Sequence, residues 1–576
     1  MRRWFKYMKP YMRYFILGPL CMIVEVIGEV IMPRLLAIII NRANDGLLTT
    51  GDSLGIMVLM ILTAIVMMAG GVGGAYFSAK ASVNFAADLR ADLYSRIQAF
   101  SFANIDRFST GSLVTRLTND VTQLQNFIAM VLRMALRAPG MMIAALVMAI
   151  MLNPPLSMVF IVSIPLMLIT LTFIIRMGFS RFSKMQEKID GLNSNVQENV
   201  TNVRVVKSFV REDHSIKGFR EANGNLKKAG ISAMSVMIFL SPIMTLFMNG
   251  TIIAVILIGG RIVLAGNMPV GNLSLFITYV TQILSSLLMI TFMLMMSSRA
   301  MASGKRIIEV LDEKLDISDE NAAHPEKTVE NGEIEFKNVT FRYYKNSEDP
   351  VLSDINLKIP ANSIVGIIGS TGSGKSTLVS MIPRLYDCDE GEVLVDGVNV
   401  RDYSLVNLRD GIGMVLQKNT LFSGSIAENL RWGNEYATDE EVREFASYAQ
   451  ADKFVSTFTE GYDTQLDQGG TNVSGGQKQR LCIARALLKR PKILILDDST
   501  SAVDTATEAQ IRKAFREELK GSTKIIIAQR ISSVRDADMI VVLNEGKITG
   551  VGKHDELLRD NLEYREIYES QSGKEE

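Results

Sequence analysis

A phosphate-binding loop is the clearest chemical feature of this sequence. The segment Gly369-Ser-Thr-Gly-Ser-Gly-Lys375-Ser376 has the spacing G-x-x-x-x-G-K-[ST], in which backbone N–H groups close around phosphate oxygens. The apolar run Ile364–Ile368 predicts a strand before the loop, and a helix is expected from Thr377 onward, its N-terminus adding positive partial charge. A chance glycine-rich turn is the alternative, but the strand–loop–helix context favours a true phosphate loop.

Side chains on and beyond this loop would act on the bound phosphates. Lys375 would reach the β- and γ-phosphates of a nucleotide, and Ser376 would coordinate Mg²⁺. The run Ile493-Leu-Ile-Leu-Asp497-Asp498 predicts a buried strand that delivers acids to its carboxyl end, where ligands bind in open α/β sheets. Asp497 would hold the Mg²⁺ shell, and Asp498 would face the attacking water. ATP and Mg²⁺ are therefore the expected cofactors.

The composition separates the chain into an apolar first half and a mixed second half. Its 576 residues carry 61 Lys plus Arg and 61 Asp plus Glu, and this balance of charge gives no support for a nucleic-acid partner. Cys21, Cys388 and Cys482 are too widely separated to indicate a metal site or a disulfide framework. Apolar residues concentrate before Met301, which indicates membrane spans.

Six apolar runs are long enough, at about 20 residues each, to cross a bilayer. They are Tyr14–Ile40, Leu54–Phe77, Phe127–Leu152, Leu156–Ile175, Ser235–Val263 and Leu273–Met296. The basic N-terminus and the long Lys/Arg-bearing segments Ser78–Asn126 and Arg176–Ser232 are placed in the cytoplasm by the positive-inside rule. Core helices of a soluble protein are the alternative, but these runs exceed the usual helix length of about 11–12 residues.

Beyond Ala302 the sequence changes to short apolar strands that alternate with helices, as in an α/β domain. We therefore expect a multi-domain chain. A six-helix α-helical transmembrane domain covers residues 1–318, a polar linker covers 319–332, and an α/β P-loop ATP-binding cassette covers 333–576. The N-terminus and the cassette are both expected in the cytoplasm.

A further motif relates the sequence to a family. Asn472-Val-Ser474-Gly475-Gly476-Gln477, between the phosphate loop and the carboxylate strand, resembles the signature of ATP-binding cassette (ABC) transporters. In that family the signature binds the γ-phosphate held by the opposite subunit, through backbone N–H groups and a Ser hydroxyl at a helix N-terminus. The resemblance implies that ATP joins two cassettes.

The same resemblance implies roles for other residues. Tyr343 resembles the aromatic residue that stacks on adenine, Gln417 resembles the glutamine that senses Mg²⁺ and the membrane domain, and Asp504 ends a segment, Ser501-Ala-Val-Asp504, that resembles the loop crossing the dimer interface. The implied ATP-binding residues are Tyr343, Gly369, Ser370, Thr371, Gly372, Ser373, Gly374, Lys375, Ser376, Thr377 and Gln417. The implied Mg²⁺ ligands are Ser376, Gln417 and Asp497, and the implied catalytic residues are Asp498 and Gln529.

The membrane half looks like the exporter type of this family. Residues 105–120 resemble the first cytoplasmic coupling segment, and residues 195–209 resemble the stretch that leads into the second. This implies a half-transporter in the bacterial cytoplasmic membrane that works as a pair of chains.

Two catalytic positions depart from the family pattern. Asp498 stands where the family usually has Glu, and Gln529 stands where it usually has a switch His. The shorter acid lies about 1 Å too far from its water, a misplacement that can cost about 10²-fold in rate. Both changes fall on the site formed by this chain's own phosphate loop, hereafter the own-loop site. The chain thus resembles the degenerate-site subunit of a heterodimeric exporter whose partner carries Glu and His. A slow homodimer is the alternative, because a repositioned water would serve Asp498.

The first span carries Glu25 and Glu29 one helical turn apart. Charged groups inside a bilayer usually pair, and Arg34, Arg133 and Arg137 are candidate partners. Packing is the favoured interpretation, and binding of a cationic cargo is the alternative. The expected function is ATP-driven multidrug-type export of hydrophobic or amphipathic small molecules. A lipid or peptide translocase of the same fold, and a membrane sensor that binds ATP without transport, remain alternatives.

Overall fold

The computed structural model describes residues 2–344, 349–498 and 504–572. The chain forms two compact units, one made of Met1–Ile97 with Gly111–Asp312 and the other of Gln98–Thr110 with Glu313–Glu576. Of the segment expected to cross a dimer interface, Asp504 is described, whereas Ser501, Ala502 and Val503 lie outside the described residues. The predicted bounds at 318 and 332 stay a prediction.

The first unit is helical. Its elements, with the short helix α4 that belongs to the second unit, are α1 (Arg2–Met8), a 3₁₀ turn (Lys9–Tyr11), α2 (Met12–Asn44), α3 (Thr50–Gln98), α4 (Phe102–Arg107), α5 (Thr110–Thr115), a π-helical turn (Arg116–Asp120), α6 (Val121–Met134), α7 (Arg137–Leu152), α8 (Pro154–Thr201), α9 (Val203–Ser208), α10 (Glu212–Leu264) and α11 (Val270–Asp312). Six helical stretches within the described residues are long and apolar enough to cross a membrane, which confirms the six predicted spans.

These helices are longer than the apolar runs that revealed them. The second span, expected over Leu54–Phe77, lies in the N-terminal part of the 49-residue helix α3, and α11 continues without a break to Asp312. The apolar run reports the hydrocarbon thickness, whereas the charged continuation is helical by propensity. Side chains such as Ile161, which is 72% exposed, cover the outer surface of the unit, as expected of residues that face lipid.

The second unit is an α/β domain, and its described residues form three sheets. Its strands are β1 (Ile334–Phe341), β2 (Leu352–Ile359), β3 (Ile364–Ile368), β4 (Glu390–Val395), β5 (Val398–Asn399), β6 (Ile412–Val415), β7 (Gly424–Ser425), β8 (Gln465–Leu466), β9 (Ile493–Asp497), β10 (Thr523–Ile527), β11 (Met539–Asn544) and β12 (Lys547–Gly552). The central six-stranded sheet has the order β12-β11-β3-β10-β9-β6, and a four-stranded sheet has the order β2-β1-β4-β5.

Helices complete this unit. They are α12 (Lys375–Ser380), α13 (Leu405–Asp410), α14 (Ile426–Arg431), α15 (Asp439–Tyr448), α16 (Asp452–Val455), α17 (Gly475–Leu488), α18 (Thr505–Glu517), α19 (His554–Asp560) and α20 (Leu562–Ser572), with 3₁₀ turns at Gly461–Asp463 and Ile531–Ser533. The predicted α/β cassette is confirmed, and the helix after the phosphate loop begins at Lys375, two residues earlier than expected.

The strand order decides what meets at the site. β10 pairs in parallel with β3 on one side and with β9 on the other. All five residues of β9 are buried, as the apolar run before Asp497 predicts. Because the carboxyl ends of parallel strands meet at one edge of a sheet, the phosphate loop, the two acids and Gln529 converge there.

Candidate ATP-hydrolysis site

The phosphate loop connects β3 to α12, and its glycines are required by geometry. Gly374 caps α12 in the left-handed region, with φ of 96°. A Cβ atom on Gly369 would lie 2.0 Å from the backbone oxygen of Leu543. Only glycine fits so close an approach, so the loop can curl tightly enough to present its N–H groups to phosphate.

Lys375 is held inside this loop. Its Nζ donates to the backbone oxygens of Gly369, at 2.9 Å, and Ser370, at 2.7 Å. Burial lowers the pKa of the lysine, while the charges of Asp497 and Asp498 act in the opposite direction. The ammonium is therefore positioned in a cradle that also contains two carboxylates, where added phosphate charge would stabilise its charged form.

Ser376 and Asp497 form a pair of oxygen ligands. The Ser376 hydroxyl donates to Oδ1 of Asp497 at 2.9 Å, and Asp497 is only 5% exposed. Burial raises the pKa of Asp497 above its ordinary value, although the bond from Ser376 opposes this. Gln417, which follows β6, lines the same pocket with its side-chain amide. A hydroxyl, a carboxylate and an amide oxygen are the hard donors that Mg²⁺ prefers, so these residues fit the ion.

The two residues that depart from the family pattern touch each other. Nε2 of Gln529 donates to Oδ2 of Asp498 at 2.8 Å. Burial raises the pKa of Asp498, and hydrogen bonds from Gln417 and Gln529 counteract the rise. The backbone of Asp498 lies in the left-handed region, with φ of 46°, an uncommon conformation for a residue other than glycine. The site therefore holds its candidate base through an amide, in a constrained position.

Tyr343 forms the far wall of the pocket. Its side chain is 44% exposed, and its hydroxyl lies 2.9 Å from Oγ1 of Thr377 on the phosphate-loop helix. Its ring meets the ring of Tyr386 edge-on, with centroids 5.2 Å apart. An exposed, buttressed aromatic face beside the phosphate loop is suited to stack on a nucleotide base.

The described residues enclose a pocket of about 310 Å³ at this edge. It is lined by Tyr343, Val351, Thr371, Gly372, Ser373, Gly374, Lys375, Ser376, Thr377, Gln417, Asp497, Asp498, Ile527 and Gln529. The structure thus brings nearly all predicted own-loop residues together. Gly369 and Ser370 contribute through the backbone oxygens that hold Lys375.

The signature lies elsewhere, at the start of α17. Ser474 is the N-cap, its Oγ accepts from the backbone N–H of Gln477, and Oε1 of Gln477 accepts from the backbone N–H of Ser474 at 2.9 Å. Gly475 and Gly476 form the first helical residues between them. The signature is not among the residues that line the described pocket. This reciprocal cap fixes the helix N-terminus without closing it to an incoming anion.

Asp504 also lies away from the pocket. It caps α18 by accepting from the backbone N–H of Thr507 at 2.9 Å. This hydrogen bond lowers the pKa of Asp504. The structure thus assigns it a local role in starting a helix, and its proposed place at a dimer interface stays a prediction.

Sequence reasoning gave no role to four residues that the structure connects to the site. Val351 and Ile527 line the pocket with apolar groups. Gln479, which is 1% exposed, donates to the backbone oxygen of Asp498 at 3.4 Å. Tyr386 supports Tyr343. Gln479 lies two residues after the recognised signature segment, which is a signal that could have marked it, whereas the other three carry no local pattern.

A second cavity lies within the helical unit. It has a volume of about 340 Å³ and is lined by Glu29, Met32, Pro33, Met67, Arg137, Ala138, Met141, Thr281, Gln282, Ser285, Ser286 and Met289. One Arg137 nitrogen lies 3.2 Å from Oε1 of Glu25 and 2.6 Å from Oε1 of Glu29. The expected packing pair is therefore present, with Arg137 as the partner. Two carboxylates share one guanidinium, so the group carries one excess negative charge when all three are ionised.

The fold and the pocket together define a membrane-spanning ATPase in which a P-loop cassette follows six helices on one chain. Two family models match it, the ABC transporter transmembrane region over residues 15–287 and the ABC transporter model over residues 352–501. An uncharacterised ABC transporter ATP-binding protein of Bacillus subtilis, YfiB, is 38% identical over 578 residues, which cover 100% of this chain and 99% of that protein.

Two further comparisons extend this picture. A protein of Mycobacterium bovis named fatty acid ABC transporter ATP-binding/permease protein is 35% identical over 472 residues, 82% of this chain and 74% of that protein. The solved structure of a bacterial Atm1-family ABC exporter with ATP bound has the same fold, with a TM-score of 0.79 at 24% identity, covering 97% of this chain and 98% of that one.

The chain belongs to the ABC transporter family. It is a half-transporter, with one transmembrane domain and one ATP-binding cassette, and its cassette is an ATPase coupled to transport. The resemblance deduced from the signature is thereby confirmed, and so is the expected use of ATP.

Proposed function

We propose that this chain is one subunit of a heterodimeric exporter that moves hydrophobic or amphipathic small molecules out across the cytoplasmic membrane. Its N-terminus and cassette lie in the cytoplasm, and its own-loop site turns over slowly. The observation that carries this proposal is the 2.8 Å hydrogen bond from Gln529 to Asp498. It joins the two residues that replace the Glu and His of the family.

A slow own-loop site follows from the chemistry of that pair. A general base must lie within hydrogen-bond reach of the water it activates, and Asp reaches one methylene less far than Glu. Gln529 offers a neutral amide donor in place of an imidazole, so it cannot supply the charge of an imidazolium to a developing phosphate anion. The hydrogen bond from this amide also opposes the rise in the pKa of Asp498 that burial causes, and so removes part of the basicity that burial provides.

Nucleotide binding at the same site is retained. Lys375 and the loop N–H groups would hold the β- and γ-phosphates, and Tyr343 would stack on the adenine. Ser376, Gln417 and Asp497 would hold Mg²⁺, which neutralises phosphate charge when bound. The own-loop site would then act as a lasting clamp between two cassettes.

The faster chemistry belongs to the composite site on the partner's loop. Ser474 and the N-terminus of α17 would complete that site by binding the γ-phosphate of the partner's ATP. Closure of the cassettes on ATP would pass through the cytoplasmic coupling segments to the spans, and hydrolysis would reset them.

Exposed apolar residues support a second chain. Phe209 and Val210, next to the short helix α9, are 73% and 82% exposed. On the other unit Phe422 and Trp432 stack at 4.2 Å, with Trp432 66% exposed. Exposed apolar groups outside the spans are costly in water and typical of surfaces that another chain covers. We infer that a second half-transporter, with Glu and His at the positions of Asp498 and Gln529, covers them.

The ATPase of the lone chain tests this proposal. Purified full-length chain in lipid nanodiscs should hydrolyse ATP slowly, while it still binds ATP. Asp498→Asn, which keeps the shape of the side chain and removes its charge, separates residual chemistry from contamination. Robust turnover of the lone chain that Asp498→Asn abolishes would refute the assignment of the slow site.

The cargo is expected to be amphipathic, and two observations bear on its head group. The relative of Mycobacterium bovis is named for fatty acids, which favours a lipid-like cargo. The excess negative charge on Glu25, Glu29 and Arg137 beside a methionine-lined cavity favours a cationic head group instead. Flexible thioethers adapt to varied apolar tails in either case.

Matched cargoes separate these alternatives. Inverted vesicles, whose cassettes would face the medium, would be given external ATP together with an alkylammonium and an alkanoate of equal chain length, alongside labelled phospholipid. Preference for the ammonium, lost in a Glu25→Gln plus Glu29→Gln variant, would support cation export. Transport of the cation that survives this change would remove the carboxylates from cargo binding, and uptake of the alkanoate or phospholipid alone would favour a lipid translocase.

A further inference from the structure

Tyr386 occupies an unusual place, because its ring touches the base side of the ATP pocket and its hydroxyl reaches α4. The ring meets Tyr343 edge-on at 5.2 Å and lies 5.6 Å from the ring of Phe341. On the other side it lies 6.0 Å from the ring of Phe102, and its hydroxyl donates to Oδ2 of Asp106 at 2.9 Å. Both Phe102 and Asp106 belong to α4.

Helix α4 is held as a rigid piece in this unit. A capping box between Ser101 and Asn104 starts it. The side chain of Asn104 also donates to the backbone oxygen of Lys314 at 2.9 Å. Arg107 ends it with two 2.8 Å hydrogen bonds to the carboxylate of Glu313. A short helix fixed at both ends moves as a body and cannot absorb a displacement by bending.

The chain positions of α4 give such a displacement consequences. It lies in sequence between α3 (Thr50–Gln98) and α5 (Thr110–Thr115), which opens the third membrane-spanning stretch. Its last three residues, 105–107, also belong to the stretch of sequence that resembles a coupling segment. A shift of α4 is therefore delivered by covalent connection to the second and third spans.

The contact between Tyr386 and Asp106 is of the strong kind. The tyrosine is half-buried, and a hydrogen bond to a carboxylate is shorter and stronger than one between neutral groups. Burial and this bond both raise the pKa of Tyr386, so the hydroxyl keeps its proton throughout the physiological range. Edge-on aromatic contacts likewise have a preferred geometry, so the orientation of Tyr343 constrains the ring of Tyr386.

We propose that Tyr386 is a positioning residue that ties the base-stacking face of Tyr343 to helix α4, so that adenine binding is transmitted to the second and third spans. The inference rests on the proposed role of Tyr343 in stacking on adenine. A base that stacks on Tyr343 fixes that ring, the fixed ring orients Tyr386, and the Tyr386 hydroxyl holds Asp106. The path differs from transmission through Gln417, because it reports the base and not the phosphates.

Hydrogen–deuterium exchange on the full-length chain in nanodiscs tests the link, with MgATP as the probe. In the wild type, MgATP should protect both the phosphate-loop peptide and the peptide that covers 98–110. Tyr386→Phe keeps the ring contacts and removes the hydroxyl. It should leave phosphate-loop protection and ATP affinity unchanged, while protection of 98–110 falls about 10- to 100-fold, the scale of one hydrogen bond to a charged group.

Three further variants make the result specific. Asp106→Ala should reproduce the loss, Asp106→Asn should largely retain protection because its amide oxygen still accepts, and Tyr386→Phe with Asp106→Ala should lose no more than either alone. Tyr448→Phe is the matched control, because Tyr448 likewise donates to a carboxylate, that of Glu444 at 2.7 Å on helix α15. It should change neither peptide.

The outcomes separate this inference from the proposed function. Equal ATP-dependent protection of 98–110 in the wild type and in Tyr386→Phe would overturn the role of Tyr386 and leave ATP binding intact. Equal loss in both peptides would also overturn it, because the residue would then serve ATP binding or folding alone. If MgATP protects neither peptide in the wild type, the proposed ATP clamp itself fails, and this inference fails with it.

Discussion

The own-loop site and the signature differ in where their hydrogen bonds end. At the own-loop site, Ser376 bonds to Asp497 and Gln529 bonds to Asp498, so the reactive groups are engaged with one another. At the signature, Ser474 and Gln477 cap their own helix, and Ser474 and Gly475 at its N-terminus are exposed. Under the proposed function, the first site holds a nucleotide within this chain, and the second contributes its chemistry to another chain.

The largest predicted effect is at the signature. Gly475→Glu would place a carboxylate where the partner's γ-phosphate binds, and we expect the ATPase of the complete transporter to fall at least about 100-fold, the scale of losing transition-state anion stabilisation. Lys375→Ala at the own-loop site should lower the same ATPase by about 10-fold or less, a tenth of the factor expected at the signature. ATPase assays on the reconstituted complex measure both. Equal losses would show that the two sites share the work.

The next effect is a gain of activity. Asp498→Glu with Gln529→His in the lone chain should raise its ATPase about 10- to 100-fold, because the base regains its reach and the switch regains a titratable ring.

The rate gains of the two single variants, multiplied together, should fall short of the rate gain of the double variant. The two side chains are in contact at 2.8 Å, so their effects are coupled. The steady-state ATPase rates of the wild type, the two single variants and the double variant form a double-mutant cycle that measures this coupling. A double variant no faster than the wild type would place the cause of slow turnover elsewhere.

The residues of the own-loop site could be predicted from the sequence, whereas their contacts with residues distant in the chain could not. The phosphate loop, the acids and the strands around them follow from local patterns, since glycine spacing and apolar runs act over a few residues. The contact of Asp498 with Gln529 and the position of Tyr386 do not follow from local patterns, because they depend on which strands neighbour each other. The six spans were found, but α3 and α8 continue far beyond their apolar parts, where charged helix has no hydropathy signal.

The smallest predicted effect concerns stability. Burial raises the pKa of Asp497 above its ordinary value of 3.8, so the folded state binds this proton more tightly than the unfolded state. The carboxylate therefore costs no stability at a pH below that ordinary value, and its cost grows as pH rises through the folded pKa. Asp497→Asn removes this cost, and we expect the Tm without nucleotide to rise about 2–4 °C at neutral pH.

Thermal unfolding in nanodiscs at several pH values checks this prediction. The difference in Tm between Asp497→Asn and the wild type should shrink as the pH is lowered, while ATP and Mg²⁺ together should stabilise the wild type more than the variant. A difference that stays constant with pH would mean that the carboxylate charge is not its source.

The fate of the γ-phosphate on each chain tests the central claim most directly. The complete transporter would be photo-crosslinked to an azido-ATP labelled at the γ-phosphate, after successive times of turnover, and the label on each separated chain would be counted. We predict that label bound to this chain persists long after label on its partner has been lost. Loss of label from both chains at the same rate would contradict the account.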